Sequence, residues 1–257
     1  DVYKRQKEMF RRFEVKFPSR DGWAKFGFEG VLIVVSILLA FSIESWQTER
    51  ALRAEEQRIL HQLKTEFEAN AELLALRRQN QDRILQAATW ILSVTGPSDD
   101  RVVDAELFYS RVFEATDWAT FDPQDGVLQS LLQTDKLEVI KSEPLRAMLA
   151  AWPSMVRDIA EDEQMARDFS LGPLTTYLAE HAPLRNIQTV GMRDSPTGPG
   201  PGPSQFSPDI DELLSDPVFE NLIHQKLWLT MWVIIEYDGR GPEIGEILSV
   251  IESEIKS

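Results

Sequence analysis

This sequence has no cysteine, only three histidines and only one long apolar run. Without cysteine, the chain can form no disulfide bond, no thiol nucleophile and no cysteine-ligated metal site. The histidines, His61, His181 and His224, are too widely separated for two of them to share a metal-ligand spacing. Glu220 lies one helical turn before His224, and we interpret this as a surface pair rather than two metal ligands.

Recognisable catalytic motifs are also missing. The sequence has no Gly-x-Ser-x-Gly elbow and no zincin motif, although serine or lysine chemistry stays open at this level. Carboxylates such as Asp158, Glu161, Asp162 and Glu163 are abundant in so acidic a chain, and we interpret this cluster as a solvated helix face. We therefore predict no enzyme, no cofactor and no metal site.

Basic residues are scarce beyond residue 46. The net charge of the whole chain is −15, and residues 47–257 hold 19 basic and 36 acidic residues, a net charge of −17. A surface this acidic repels nucleic acid and anionic lipid. We therefore exclude nucleic acid as a partner.

The one long apolar run, Gly30–Ile43, predicts a membrane-spanning helix. Its fourteen residues rise about 21 Å as a helix, which is short of the roughly 30 Å hydrocarbon core. Extension back through Phe26 gives eighteen residues whose single charge, Glu29, would lie near the interface. Trp23 and Trp46 flank the run at headgroup level, where amphipathic rings are enriched. We predict a transmembrane helix over 26–46, with the lipid bilayer as its partner.

A cleaved signal peptide is the main alternative. Ala40-Phe41-Ser42 has the small-x-small pattern that leader peptidases recognise. The region before the run, however, is about 25 residues long and carries four acids, whereas a leader begins with a short basic segment. These acids are Asp1, Glu8, Glu14 and Asp21. The flanks therefore favour a retained anchor.

Charge asymmetry predicts the orientation of this anchor. Eight basic residues precede it, and no comparable cluster follows, so the positive-inside rule keeps the N-terminal side in the cytoplasm. They are Lys4, Arg5, Lys7, Arg11, Arg12, Lys16, Arg20 and Lys25. We expect 1–25 to be a basic cytoplasmic segment of a single-pass protein of a bacterial inner membrane, with the rest in the periplasm.

The remainder predicts an all-α fold. Apolar residues recur at helical spacing from Leu52 to Leu92 without glycine or proline, so one helix is expected over about 24–94, continuing from the membrane into an irregular helical bundle. We expect helical segments over 47–194 and 209–257, joined by a Pro/Gly-rich tether over 195–208.

Three further expectations concern the later helices. Pro153 and the Gly172-Pro173 pair should kink or divide a helix beginning near Ser142. The segment 239–242 should form a turn before a closing helix. The preceding helix should present one apolar face to the core, formed by Leu213, Leu214, Phe219, Leu222, Ile223, Leu227, Met231 and Ile235.

The run from Phe28 to Trp46 resembles the opening of an uncharacterised bacterial family of single-pass membrane proteins, domain of unknown function 6090. Glu29 and Trp46 match its pattern, and the closing stretch from Gly245 to Ile255 is similar to its last helix. The chain departs from it at Phe28 and Ser36, where the family tends to have glycine, and at 44–45, where it has paired amides. The resemblance implies a single membrane pass with a helical exported domain, and no activity.

These features suggest two functions. We favour a membrane-anchored helical module that senses, scaffolds or binds a partner in the periplasm. The expected partner is another protein or a second copy of the chain. The alternative is an oligomeric pore or transport accessory subunit, in which Gly30 and Ser36 mediate helix association or face a lumen. Glu29 would then lie on an ion or proton path, although an acid ordered at the membrane interface is the simpler interpretation.

Overall fold

A computed structural model describes residues 20–98, 100–191, 202–206 and 209–256, with 20–28 and 256 described by their backbone alone. The described residues contain helices and no strand, so the prediction of an all-α fold is confirmed. The chain divides into two compact units, residues 1–55 and 56–257. The predicted 1–25 segment lies mostly outside the described residues, as does most of the predicted tether.

The first helix, α1, spans Arg20–Val94 and has 75 residues. The absence of glycine and proline between 47 and 94 removes the usual causes of a break, which explains why one helix crosses both units. Its predicted bounds, about 24–94, are therefore close to those observed. In the first unit, the residues from Glu29 to Ala54 are all exposed.

The second unit is a bundle in which shorter helices pack with the second half of α1. They are α2 (Ala105–Thr116), α3 (Gly126–Gln133), α4 (Glu143–Phe169), α5 (Thr175–His181), α6 (Leu184–Gly191), α7 (Ile210–Ser215) and α8 (Pro217–Lys256). The last helix runs antiparallel to α1. Gln57 donates to the carbonyl of Glu254 over 3.0 Å, whereas Arg78 is 2.7 Å from Asp238, so positions rise along α1 as they fall along α8.

Apolar residues of the bundle form two cores. One lies around Leu63, Phe67 and Trp152, where the Trp152 ring meets the Phe67 ring edge-on at a centroid distance of 5.0 Å. The other lies around Ile91, Phe108 and Phe219 at the opposite end of the second half of α1. Both α1 and α8 contribute to both cores, so these two helices connect them.

Polar residues on the buried side of α1 bind main-chain groups between α2 and α4. Asn70 is fully buried, and its amide both donates to the carbonyl of Gln124 and accepts from the Gln124 N–H, each over 2.7 Å. Gln81 donates to the carbonyl of Ala119, and Glu56 accepts from the Lys141 N–H over 2.6 Å. These bonds satisfy backbone groups of residues that lie outside the helices.

Glu66 has a related role at the start of α3. Asp125, at the N-cap position, makes no side-chain capping bond. The Glu66 carboxylate instead accepts from the N–H groups of Val127 and Leu128, at 2.7 and 3.2 Å. Burial raises the pKa of Glu66, while these two bonds lower it and the charge of Asp125 raises it. α1 therefore supplies the cap that α3 lacks.

The predicted turn over 239–242 is wrong, and Pro153 does not divide its helix. α8 continues through Gly239 and Pro242, where a turn was expected, and α4 continues through Pro153. A proline inside a helix costs about 3 kcal/mol. In both helices, buried apolar residues on either side of the proline pack into the same core, which offsets that cost. These residues are Leu149, Trp152 and Ile159 in α4, and Val233, Tyr237, Ile244 and Ile247 in α8.

The predicted break at Gly172-Pro173 is confirmed in a milder form. A π-helical turn, Ser170–Leu174, lies between α4 and α5 and widens the helix without reversing the chain. Pro173 lacks an N–H, and the hydroxyl of Thr175 donates to the carbonyl of Ser170 over 2.6 Å. The turn leaves Ser170 fully buried and Leu171 exposed.

The carboxylates at 158–163 do not form one solvated face, so that interpretation is partly wrong. Asp158 and Glu161 are exposed, whereas Glu163 is buried and accepts from the Phe121 N–H over 2.8 Å and from the Tyr237 hydroxyl. Burial raises the pKa of Glu163, although the bond from Tyr237 lowers it. The two hydrogen bonds explain how this carboxylate is accommodated in the core.

We predict that Asn70→Ala destabilises the bundle by about 1–3 kcal/mol, because it removes the two hydrogen bonds between the fully buried Asn70 amide and the main chain of Gln124. Urea unfolding of the detergent-solubilised protein measures this change. Glu72→Ala is the matched control, since Glu72 is exposed on the same helix and should change stability by less than about 0.5 kcal/mol. Equal effects of the two substitutions would contradict this role of Asn70.

Candidate functional site

The most exposed apolar surface of the described residues is the segment 31–43 of α1. Its large apolar side chains have exposures from 47% for Val35 to 63% for Phe41. α1 is the one helix among the described residues that is long and apolar enough to cross a membrane, and none of its most apolar window is buried. This window is therefore not a core helix.

The predicted interface residues lie at the ends of this segment. Trp46 is exposed, and the Arg50 guanidinium is 5.5 Å from the centroid of its ring, a cation–π geometry. Glu29 is exposed. Trp23 lies in the part described by its backbone alone. An aromatic ring beside a cation is typical of the headgroup level of a bilayer.

The predicted association residues, Gly30 and Ser36, are exposed within the first unit. A Cβ added at Gly30 would meet no atom within 4 Å. The Ser36 hydroxyl donates to the carbonyl of Leu32 over 2.8 Å, and Ser42 bonds to Leu38 in the same way. Hydroxyls satisfied within their own helix need no polar lumen, so these bonds do not favour the pore hypothesis, which stays a prediction.

A second exposed apolar surface lies on α8 and was missed by the sequence reasoning. Trp228, Met231, Trp232 and Ile235 are 49%, 39%, 46% and 53% exposed, and we call these four residues the outer stripe. Met231 and Ile235 were expected to face the core, which is wrong. The core side of α8 is instead formed by Ile223, Lys226, Thr230, Val233, Ile234 and Tyr237.

The signal for this arrangement was present in the sequence. Trp228 and Trp232 have i, i+4 spacing, as do Lys226 and Thr230, on opposite sides of the helix. Counting the lysine and threonine as surface residues places the apolar side chains inward. The structure reverses this assignment, because the Lys226 ammonium donates to the carbonyl of Asp117 inside the bundle and the Thr230 hydroxyl donates to the carbonyl of Lys226 in its own helix.

Lys226 is the most unusual buried group of the bundle. Its ammonium donates to the carbonyl of Asp117 over 2.8 Å and to the hydroxyl of Ser170 over 2.7 Å. Burial lowers the pKa of Lys226 to about 8, although the charge of Asp117 opposes the shift. The pair resembles a serine–lysine dyad in composition, but both side chains are almost completely buried, so no substrate reaches them. Its role is to join α8 to the π-helical turn.

Two cavities lie beside the core that contains Ile91, Phe108 and Phe219. One, of about 400 Å³, lies between α2, α5 and α6 and is largely apolar, with Asp117, Trp118 and Leu171 in its wall. The other, of about 590 Å³, is acidic and lies between α5 and α7. Its wall contains Tyr177, Glu180, His181, Asp209, Glu212 and Asp216.

The acidic cavity is organised around a tyrosine. The hydroxyl of Tyr177 donates to the Asp216 carboxylate, and the His181 ring stacks on the Tyr177 ring at a centroid distance of 4.1 Å. This bond lowers the pKa of Asp216, and burial raises the pKa of Tyr177. Within the described ranges, no three His, Cys, Asp or Glu side chains are placed to hold a metal ion, and Glu220 and His224 are both exposed.

Comparison with known proteins does not extend this description. No protein-family model, no curated protein and no solved structure matches the chain. The resemblance to the family of domain of unknown function 6090 therefore stays a prediction.

Lys226→Met is predicted to remove a pH-dependent part of the stability. The unfolded lysine has its ordinary pKa of 10.5, whereas the folded one has a pKa of about 8. Between these values the unfolded state binds more protons at this residue, so the contribution of Lys226 to the free energy of unfolding rises with pH, by about 3 kcal/mol at most. Below the folded pKa of about 8, the buried lysine is charged, and the cost of burying that charge lowers the free energy of unfolding in full.

Urea unfolding at about pH 7 and about pH 10 measures this difference between the two proteins. The exposed Lys136, changed to methionine, is the matched control and should follow the wild type. A Lys226→Met protein whose stability changes with pH in parallel with the wild type would contradict the buried, shifted lysine.

Proposed function

We propose that this chain is a membrane-anchored helical module that binds a protein partner on the periplasmic side of a bacterial inner membrane. The observation that carries the proposal is the contrast within α1. Its apolar side chains from 31 to 43 are exposed, whereas those of its second half, such as Leu63 and Phe67, are buried in the bundle. Exposure of the first set to water would be unfavourable, and the hydrocarbon core of a bilayer would remove that exposure.

The surroundings of the exposed segment support the anchor. Trp46 with Arg50 provides an amphipathic boundary at one end, and Glu29 lies at the other. The hydroxyls of Ser36 and Ser42 are bonded within the helix, so the segment presents no unsatisfied side chain to lipid. The eight basic residues before it support a cytoplasmic N-terminal side.

The bundle supports binding rather than catalysis. The contact between Ser170 and Lys226 is buried from solvent, whereas the outer stripe presents two half-exposed tryptophans. Exposed contiguous aromatic surface is typical of protein interaction sites. A partner is therefore the role that the described surface of the bundle supports best.

Leu38→Arg is predicted to weaken membrane retention, because an arginine at the middle of a span costs about 2.5–3.5 kcal/mol on the insertion scale. Alkaline extraction of membranes measures the retained fraction, which should be near complete for the wild type and reduced for the variant. Leu52→Arg is the matched control, since Leu52 is an equally exposed leucine of the same helix beyond the span.

Two results would contradict the anchor. Recovery of the wild type in the soluble fraction, with a new N-terminus near Ile43, would show a cleaved leader. Equal retention of the Leu38→Arg and Leu52→Arg proteins would show that the segment 31–43 does not hold the chain in the bilayer.

A further inference from the structure

We infer that the outer stripe of α8 is the docking site for a basic amphipathic helix of a partner protein. The inference rests on the proposed function and specifies the chemistry of the partner. It is drawn from the spacing of the four residues, the area that they expose and the charges around them.

The spacing fits one helix. Trp228, Met231, Trp232 and Ile235 stand at i, i+3, i+4 and i+7, which places them in one continuous row on α8. The two indole rings meet edge-on, with centroids 5.9 Å apart and an interplanar angle of 83°. This contact holds both rings in place before a partner arrives, and so reduces the entropy that binding would cost.

The exposed area also indicates a helix rather than a globular face. A buried tryptophan covers up to about 250 Å², so two half-exposed tryptophans together with Met231 and Ile235 offer roughly 400 Å². A stable interface between two globular proteins needs about 800 Å² on each side. A single amphipathic helix that inserts apolar residues between the tryptophans needs less, and recognises a row of the same spacing.

The charges around the stripe are mainly negative. Near its C-terminal end, Arg78 bridges Asp82 and Asp238, and Arg240 bridges Glu236 and Glu243. Two guanidinium groups there face four carboxylates. Asp162 of α4 adds a fifth, and its pKa is raised by burial first and then by repulsion from Glu236, Glu161 and Asp158.

No lysine of α8 offsets this charge at the stripe. Lys226 is directed into the bundle, where it bonds to Asp117 and Ser170. His224 and Gln225, at the N-terminal end of the stripe, are exposed and carry no full charge at neutral pH. A partner helix with lysine or arginine beside its apolar row would therefore meet complementary charge.

The same charges disfavour the two other occupants. A second copy of the chain would bring its own acidic flank against this one, and like charges oppose such a contact. A bilayer containing anionic lipid would repel the flank in the same way. The experiment described next distinguishes a second copy and a bilayer from a basic helix.

The test uses the full chain in detergent and a synthetic helical peptide with leucines at i, i+3, i+4 and i+7 and lysines on its other faces. Fluorescence anisotropy of the labelled peptide measures binding. We expect the wild type to bind it, and the double variant Trp228→Gln/Trp232→Gln to bind about tenfold more weakly or worse. Phe206→Gln, which removes an exposed aromatic elsewhere, is the matched control.

Charge is tested separately. A peptide with the same leucines but glutamates in place of lysines should not bind, and binding of the basic peptide should weaken as salt rises. Circular dichroism checks that the double variant keeps its fold, which we expect because both tryptophans are half exposed. Equal binding by wild type and double variant, or salt-independent binding of both peptides, would overturn the inference.

Two further results would assign the stripe to another occupant and overturn the inference. One is a wild-type dimer that becomes monomeric in the double variant. The other is quenching of Trp228 and Trp232 by brominated lipid in nanodiscs, measured as the difference between wild type and Trp228→Phe/Trp232→Phe. Alkaline extraction reports on the anchor alone, so a failed docking site and a failed anchor give different results.

Discussion

The unbroken backbone of α1 is the constraint on which the rest of the structure depends. One helix of 75 residues carries apolar side chains that are exposed in its first unit and buried in its second. Burial of apolar area contributes roughly 25 cal/mol per Å², so each set is stable only in surroundings that remove it from water. The bundle provides such surroundings for the second set, and a bilayer is what we propose for the first.

α1 also organises the bundle through polar groups, not only through its apolar residues. Glu66 caps α3, and Asn70 and Gln81 bind main-chain groups of the segment between α2 and α3. Apolar packing tolerates small shifts between helices, whereas these bonds fix one register. The buried Lys226 does the same for α8, which it joins to the π-helical turn. Polar contacts of this kind explain why segments with little regular structure are held in place.

The sequence predicted the elements that local periodicity controls. The bounds of α1 followed from the lack of breakers. The continuation of α8 through Pro242 did not, because that helix is held by core contacts far away in sequence. The outer stripe was also missed, since a lysine and a threonine are assigned to the surface unless their buried partners are known. Glu163 was misplaced for the same reason.

Labelling of single cysteines tests the central claim most directly, because the chain contains no cysteine of its own. A membrane-impermeant maleimide is applied to intact cells with a permeabilised outer membrane, and cysteines are introduced at Ser36 and at the exposed Glu72. Our account predicts rapid labelling at position 72 and none at position 36, where lipid suppresses the thiolate. Equal labelling at both positions would contradict it, since a residue 36 that faces lipid is not accessible to an aqueous reagent.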